Sequence, residues 1–240
     1  MARCVPTHIL LRGLGFRPGS AEPVRAERSS GTMTLTVRLS DVAGANPAQA
    51  QFIGRAIGRL AEAVAHPGFL PKVRAADYVE TRWTPLHGEW RTLSGLDIAE
   101  RIAGGIERGS GPDGVLELRF ALADLPGPES GRKVLGSTAL GCQPIHPARW
   151  FIDRCAAAGD AVNLASHFMH EWMHLSGFFH WPDNQARGDA AYVVGRIVRE
   201  VLEPDHGDEI DPAITALMHD VETDCGCRGN PTGGVTSVTS

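Results

Sequence analysis

Residues 170–180 read His-Glu-Trp-Met-His-Leu-Ser-Gly-Phe-Phe-His. Their types and spacing suit the capture of one metal ion and the activation of a water. On a helix, positions i and i+4 share a face, with Cβ atoms about 5–6 Å apart. His170 and His174 can therefore each offer a nitrogen to one ion at about 2.0–2.1 Å. Glu171 is rotated by about 100° from His170. That makes it a poor third ligand on this face, but lets it reach a water on the metal. Gly177 can take positive φ without steric penalty and turn the chain. The turn brings His180 round to the same ion, and Pro182 discourages the helix from continuing. Three neutral imidazoles leave the fourth tetrahedral position of a zinc ion open, as catalytic sites do and closed structural sites do not.

Several neighbours have competing readings. His167 falls near the same face as His170. It is a substitute ligand, or, as the commoner case, a histidine of the surface or of the layer behind the ligands. Asp183 and Asp189 follow the third ligand and can orient an imidazole through its free N–H; a solvated loop acid is the plainer reading of each. Tyr192 can donate to a developing oxyanion or simply anchor its helix. Glu200 is the alternative third ligand, and the Gly177-to-His180 spacing favours His180 over it. Trp172, Met173, Leu175, Phe178 and Phe179 read as core that buries the helix, not as a substrate pocket.

These groups need elements to hold them. Thr32–Leu39 alternates apolar and polar residues and predicts a half-buried strand. Asn46-Pro47 opens a helix that His66-Pro67-Gly68 stops. A second strand is expected over 73–83 and a helix over 96–107, followed by a strand over 115–122. Residues 126–131 read as a loop, and 134–141 as a short, glycine-bounded edge strand. Residues 160–176 form the helix of the histidines, with further helices over 187–202 and from Asp211-Pro212. Strands with interspersed helices, then almost only helices, predict an α+β fold.

The chain has 240 residues, enough for a substantial core. Its net charge of −5 argues against nucleic acid as a main partner, since phosphate binding wants a basic footprint. No apolar run approaches the ~18 residues that span a bilayer, and Ile9–Leu11 is far too short for a secretory core. A cytoplasmic location, or export by a non-classical route, is the expectation. Residues 1–31 read as a flexible leader or a misassigned start with Met33 as the true one, 32–228 as one domain, and 229–240 as a mobile tail. The odd set of five cysteines argues against a dense disulfide framework, and Cys225-Gly226-Cys227 lacks the two-residue spacing of a zinc knuckle.

The pattern His170-Glu171-x-x-His174-x-x-Gly177-x-x-His180 resembles the extended zinc motif of the metzincin metallopeptidases, a group of zincins. The resemblance implies one catalytic zinc on His170, His174 and His180, with Glu171 as general base in peptide-bond hydrolysis. It implies protein or peptide substrates. It also implies a zincin-like α+β fold: a twisted mixed sheet with an active-site helix in the N-terminal part, and a mainly helical C-terminal part. In such enzymes an edge strand above the zinc pairs with extended substrate, and 134–140 is the candidate here. The group also has a methionine turn beneath the zinc. The one methionine downstream, Met218, lies thirty-eight residues past His180 and departs from the pattern. Cys4, in Ala-Arg-Cys-Val-Pro, is loosely similar to a cysteine-switch propeptide. The motif does not read substrate side chains. A zinc-dependent hydrolase of small amides and a non-catalytic, zinc-stabilised binding module therefore stand as alternatives.

Overall fold

Hydrophobic alternation and helix caps place most of the elements. The computed structural model describes residues 35–85, 89–131, 133–180 and 188–203. Strand β1 (Thr36–Ala43) is followed by helix α1 (Pro47–Ala65). A capping box between Asn46 and Gln49, with proline in the first turn, starts α1. Helix α2 (Phe69–Ala75) and the two-residue strands β2 (Arg82–Trp83) and β3 (Arg91–Thr92) come next. Helix α3 (Gly95–Ala103) opens on a second capping box, Ser94 with Asp97. Strand β4 (Val115–Ala121), strand β5 (Gly136–Ser137), strand β6 (His146–Pro147) and helices α4 (Arg149–Ala158), α5 (Ala161–Ser176) and α6 (Ala190–Leu202) complete the order.

β1 and β4 pair in parallel, from Thr36 opposite Val115 to Ala43 opposite Ala121, with a register shift between Leu39 and Asp41. A parallel pair needs a crossover, and α1 to α3 supply it. β2 pairs antiparallel with β3, and β5 with β6. The fold is therefore α+β with small sheets. Of the expected mixed sheet the described residues show short pieces: three two-stranded ladders, with parallel bridges from Phe120 to Ile145 and from Ala123 to Ala148 joining the β4 and β6 segments. The segments that meet are short and interrupted by residues such as Gly136 and Pro147, which weaken or end a ladder.

Other expectations shift in detail. The first strand continues past Leu39 to Ala43. The strand expected over 73–83 is mostly not one: α2 occupies its start, Glu80 makes a single parallel bridge with Asp189, and within that range only Arg82–Trp83 forms a ladder. Phe69 and Val73, four apart, are both buried on one face of α2. α3 ends before 107 because Gly104 and Gly105 follow it. α4, which had no counterpart in the sequence reading, buries Phe151, Ile152 and Cys155. The leader at 1–31, Met33, Cys4, Pro182, Asp183, the Asp211-Pro212 helix, Met218, Cys225, Cys227 and the tail lie outside the described residues.

α5 is the centre of the molecule. It packs against α1, α4, α6 and β4, and every residue from Val162 to Ser176 is buried. A helix enclosed all round needs few polar residues. The polar ones it does carry, among them His167, His170, Glu171 and His174, therefore need partners. Phe168 of α5 stacks on Phe120 of β4 with centroids 4.3 Å apart. Among the described residues, no helix is long and apolar enough to cross a membrane.

Candidate metal centre

α5 starts where the Asp160 side chain accepts from the Asn163 N–H at 2.8 Å. It stops at Gly177, whose φ is +106°. The Gly177 N–H bonds the His174 carbonyl, and the Phe178 N–H the Met173 carbonyl; this is a Schellman ending. A Cβ at Gly177 would stand 2.5 Å from Trp83 Nε1 and 2.7 Å from the Thr84 carbonyl oxygen. Trp83 Nε1 donates to the Ser176 carbonyl at 2.6 Å, and the Thr84 N–H to the Gly177 carbonyl at 3.1 Å. Arg101 lies over the Trp83 ring, 4.1 Å from its centroid. On the far side of His180, the Val79 N–H donates to the Gly188 carbonyl at 2.8 Å and the Ala190 N–H to the Glu80 carbonyl at 3.0 Å. Residues 79–84 thus tie the chain both before and after the third histidine.

The three histidines converge. His170 Nε2 lies 3.3 Å from His174 Nε2 and 3.2 Å from His180 Nε2. One ligand nitrogen from each ring falls within 4.8 Å of the others. Each ring is also held from outside. His174 Nδ1 donates to the Phe178 carbonyl at 2.9 Å, His180 Nδ1 bonds the Asp189 carboxylate, and the His170 ring bonds the Ala191 backbone. With the outer nitrogens committed as donors, the inner Nε2 atoms face one another as lone pairs. Such an arrangement suits a cation at its centre. Four tetrahedral bonds of about 2.0–2.1 Å put nitrogens roughly 3.3–3.4 Å apart, close to the spacings found here. The residues present fit a metal ion.

Burial dominates the electrostatics. It pushes the His170 imidazole well below its ordinary value, helped by the neighbouring His174 and His180. Burial and then His180 push His174 down to about 3. Neutral rings are the form that binds metal. Glu171 is enclosed as well. Burial raises its carboxyl to about 7, against the opposing pull of the Thr138 hydroxyl and then His180. Thr138 Oγ1 donates to Glu171 Oε2.

The sequence reading of the ligands and the structure meet at His170, His174 and His180, with Glu171 buried beside them. His167 is buried and does not join the three; its Nε2 lies 3.6 Å from Glu171 Oε1. Asp189 is not a solvated loop acid. It is 3% exposed, bonds His180 and caps α6 through the Tyr192 N–H at 3.1 Å. The Tyr192 ring packs on His170 and His180, with centroids 4.5 and 4.8 Å away. Glu200 is at the surface, paired with Lys72 at 3.0 Å and Arg196 at 3.4 Å. Trp172 is core, and its Nε1 donates to Glu107 at 3.0 Å. The sequence places Thr138 and Gly136 only within the candidate edge strand and gives no sign of the Trp83–Thr84 brace. The Thr138–Glu171 and Trp83–Ser176 contacts cross 33 and 93 positions of the chain, and no local spacing signals them.

Comparison of the chain with protein-family models, curated proteins and solved structures finds no match. The structure itself contributes a buried three-histidine group able to bind a metal ion.

Proposed function

We propose that this protein is a zinc-dependent metalloendopeptidase. The observation that carries the reading is the convergence of three Nε2 lone pairs, each ring anchored from behind, beside one enclosed carboxylate. His170, His174 and His180 would hold the ion, and three neutral donors suit zinc. When bound, zinc acidifies a water and polarises a carbonyl. Glu171 takes the attacking water's proton at a carboxylate oxygen and delivers it to the leaving amine. Burial keeps Glu171 away from bulk water, so that it exchanges protons with the substrate and not with solvent. Residues 134–140 are the candidate to receive an extended peptide. They pass beside Glu171, to which Thr138 is bonded.

The test pairs metal content with turnover. Elemental analysis of the wild type is expected to give one zinc per chain. His180→Ala should lose it, while Glu171→Gln keeps it. Casein and a peptide library should be cleaved by the wild type, not by Glu171→Gln, and not in the presence of a chelator. Cleavage retained by Glu171→Gln would overturn the mechanism. Bound zinc with peptides left intact and a small amide turned over would move the substrate class. A chain that takes up no zinc would end the proposal.

A further inference from the structure

His167 Nε2 is enclosed and, among the described residues, has no hydrogen-bond partner. A buried polar atom in that state calls for an explanation. The His167 ring does make one bond, to the Leu135 backbone. Since Nε2 is unbonded, Nδ1 is the nitrogen that donates to the Leu135 carbonyl. Nε2 is therefore an acceptor, and it faces Glu171 Oε1 at 3.6 Å. Among the described residues nothing donates to Oε1, whereas Oε2 accepts from Thr138. Gly136 closes the space: a Cβ there would stand 2.6 Å from His167 Nε2 and 2.9 Å from Glu171 Oε1. There is no room for a side chain between them.

We infer that Thr138, Gly136 and His167 are positioning residues that give the two oxygens of Glu171 separate tasks. Thr138 anchors Oε2. His167, in the tautomer imposed by Leu135, leaves Oε1 uncommitted as the atom that accepts the proton. This rests on the hydrolytic reading above. In the step, a water O–H bond breaks and an Oε1–H bond forms. That O–H then donates to His167 Nε2, which gains a hydrogen bond and no proton. The Oε1–H bond breaks in turn as the proton passes to the leaving amine. The opposite tautomer would put an N–H on Oε1 and tie it as Thr138 ties Oε2.

Two measurements on the zinc-loaded protein test this. The first is the ¹⁵N resonance of the His167 ring in the wild type and in Glu171→Gln. Nε2 should be unprotonated in the wild type and should shift when the Gln amide donates to it. The second is kinetic. His167→Phe and Thr138→Val should retain zinc and lose about 10-fold or more in kcat, with KM little changed, as a misplaced catalytic group does. Thr138→Ser, which keeps the hydroxyl, and His167→Gln, which keeps an acceptor, should recover most of the loss. A protonated Nε2 in the wild type, or an unchanged kcat in both loss variants, would overturn the inference. A wild type that hydrolyses nothing would overturn the hydrolytic reading on its own, while the tautomer is still decided by the ring resonance.

Discussion

Asp189 receives two hydrogen bonds at once, from the His180 ring and from the Tyr192 N–H that opens α6. The first fixes which His180 nitrogen faces the metal position. Asn in its place keeps an oxygen for the cap but loses the charge that strengthens imidazole as a ligand. Partners of this kind are worth about 10–100-fold in metal affinity. Asp189→Asn should therefore weaken zinc binding by that order, measured by competition with a chromophoric chelator, with helix content unchanged. Equal affinity in the two proteins would remove Asp189 from the site. At this scale the three-histidine group was legible, and of its supports Asp189 was named only as one of two readings. The spacing from His170 to His180 is local, so helix geometry and one glycine turn account for it. Whether Asp189 meets a histidine or water depends on where residues 79–84 hold the chain, and no run of neighbouring residues encodes that. His167 shows the same limit. Its place four residues before Glu171 puts the two on one helix face, but no local spacing shows that the backbone at Gly136 packs against both.

The elements divide by how their signals arise. α1, α5 and α6 each begin at a side-chain cap and present apolar residues at helical spacing, so their existence could be read directly. β2, β3, β5 and β6 have two residues each, too few to show a period. They exist because tertiary packing brings backbones together. The end of α5 belongs with the legible features and carries a prediction. Gly177 sits in the left-handed region, where a Cβ costs roughly 1–2 kcal/mol. The atoms in the way are the Thr84 carbonyl oxygen and Trp83 Nε1. The first is backbone and the second is held by the Ser176 carbonyl, so neither yields easily. Gly177→Ala should lower the stability of the chelator-treated protein by more than the backbone cost alone. It should also weaken zinc binding, because the same turn delivers His180. Denaturant unfolding and chelator competition would check both. An unchanged unfolding midpoint would mean that the brace relaxes.

For the whole molecule, enclosing so many titratable groups around α5 makes stability depend on pH. In the metal-free protein His167 is pushed down to about 4 and His174 to about 3, chiefly by burial, and His170 well below its ordinary 6.5. For each, the unfolded chain takes up a proton more readily than the folded one. The stability linked to these rings is full above about 6.5 and is lost as pH falls from there through the folded values. Glu171 has the opposite sign. Its carboxyl is raised from 4.5 to about 7, so its contribution is present at low pH and lost as pH rises through about 7. Between pH 6.5 and 4.5 the three histidines oppose one carboxyl, and the histidines win. The chelator-treated protein should therefore melt at a lower temperature at pH 5 than at pH 7.5. Zinc at 100 times its dissociation constant should add about 2.7 kcal/mol at pH 7.5. The gain should shrink as pH falls, because binding competes with protons for the same rings. Thermal melts at the two pH values, with and without zinc, measure all of this. A metal-free protein as stable at pH 5 as at pH 7.5 would mean that the histidines are not held neutral by the fold.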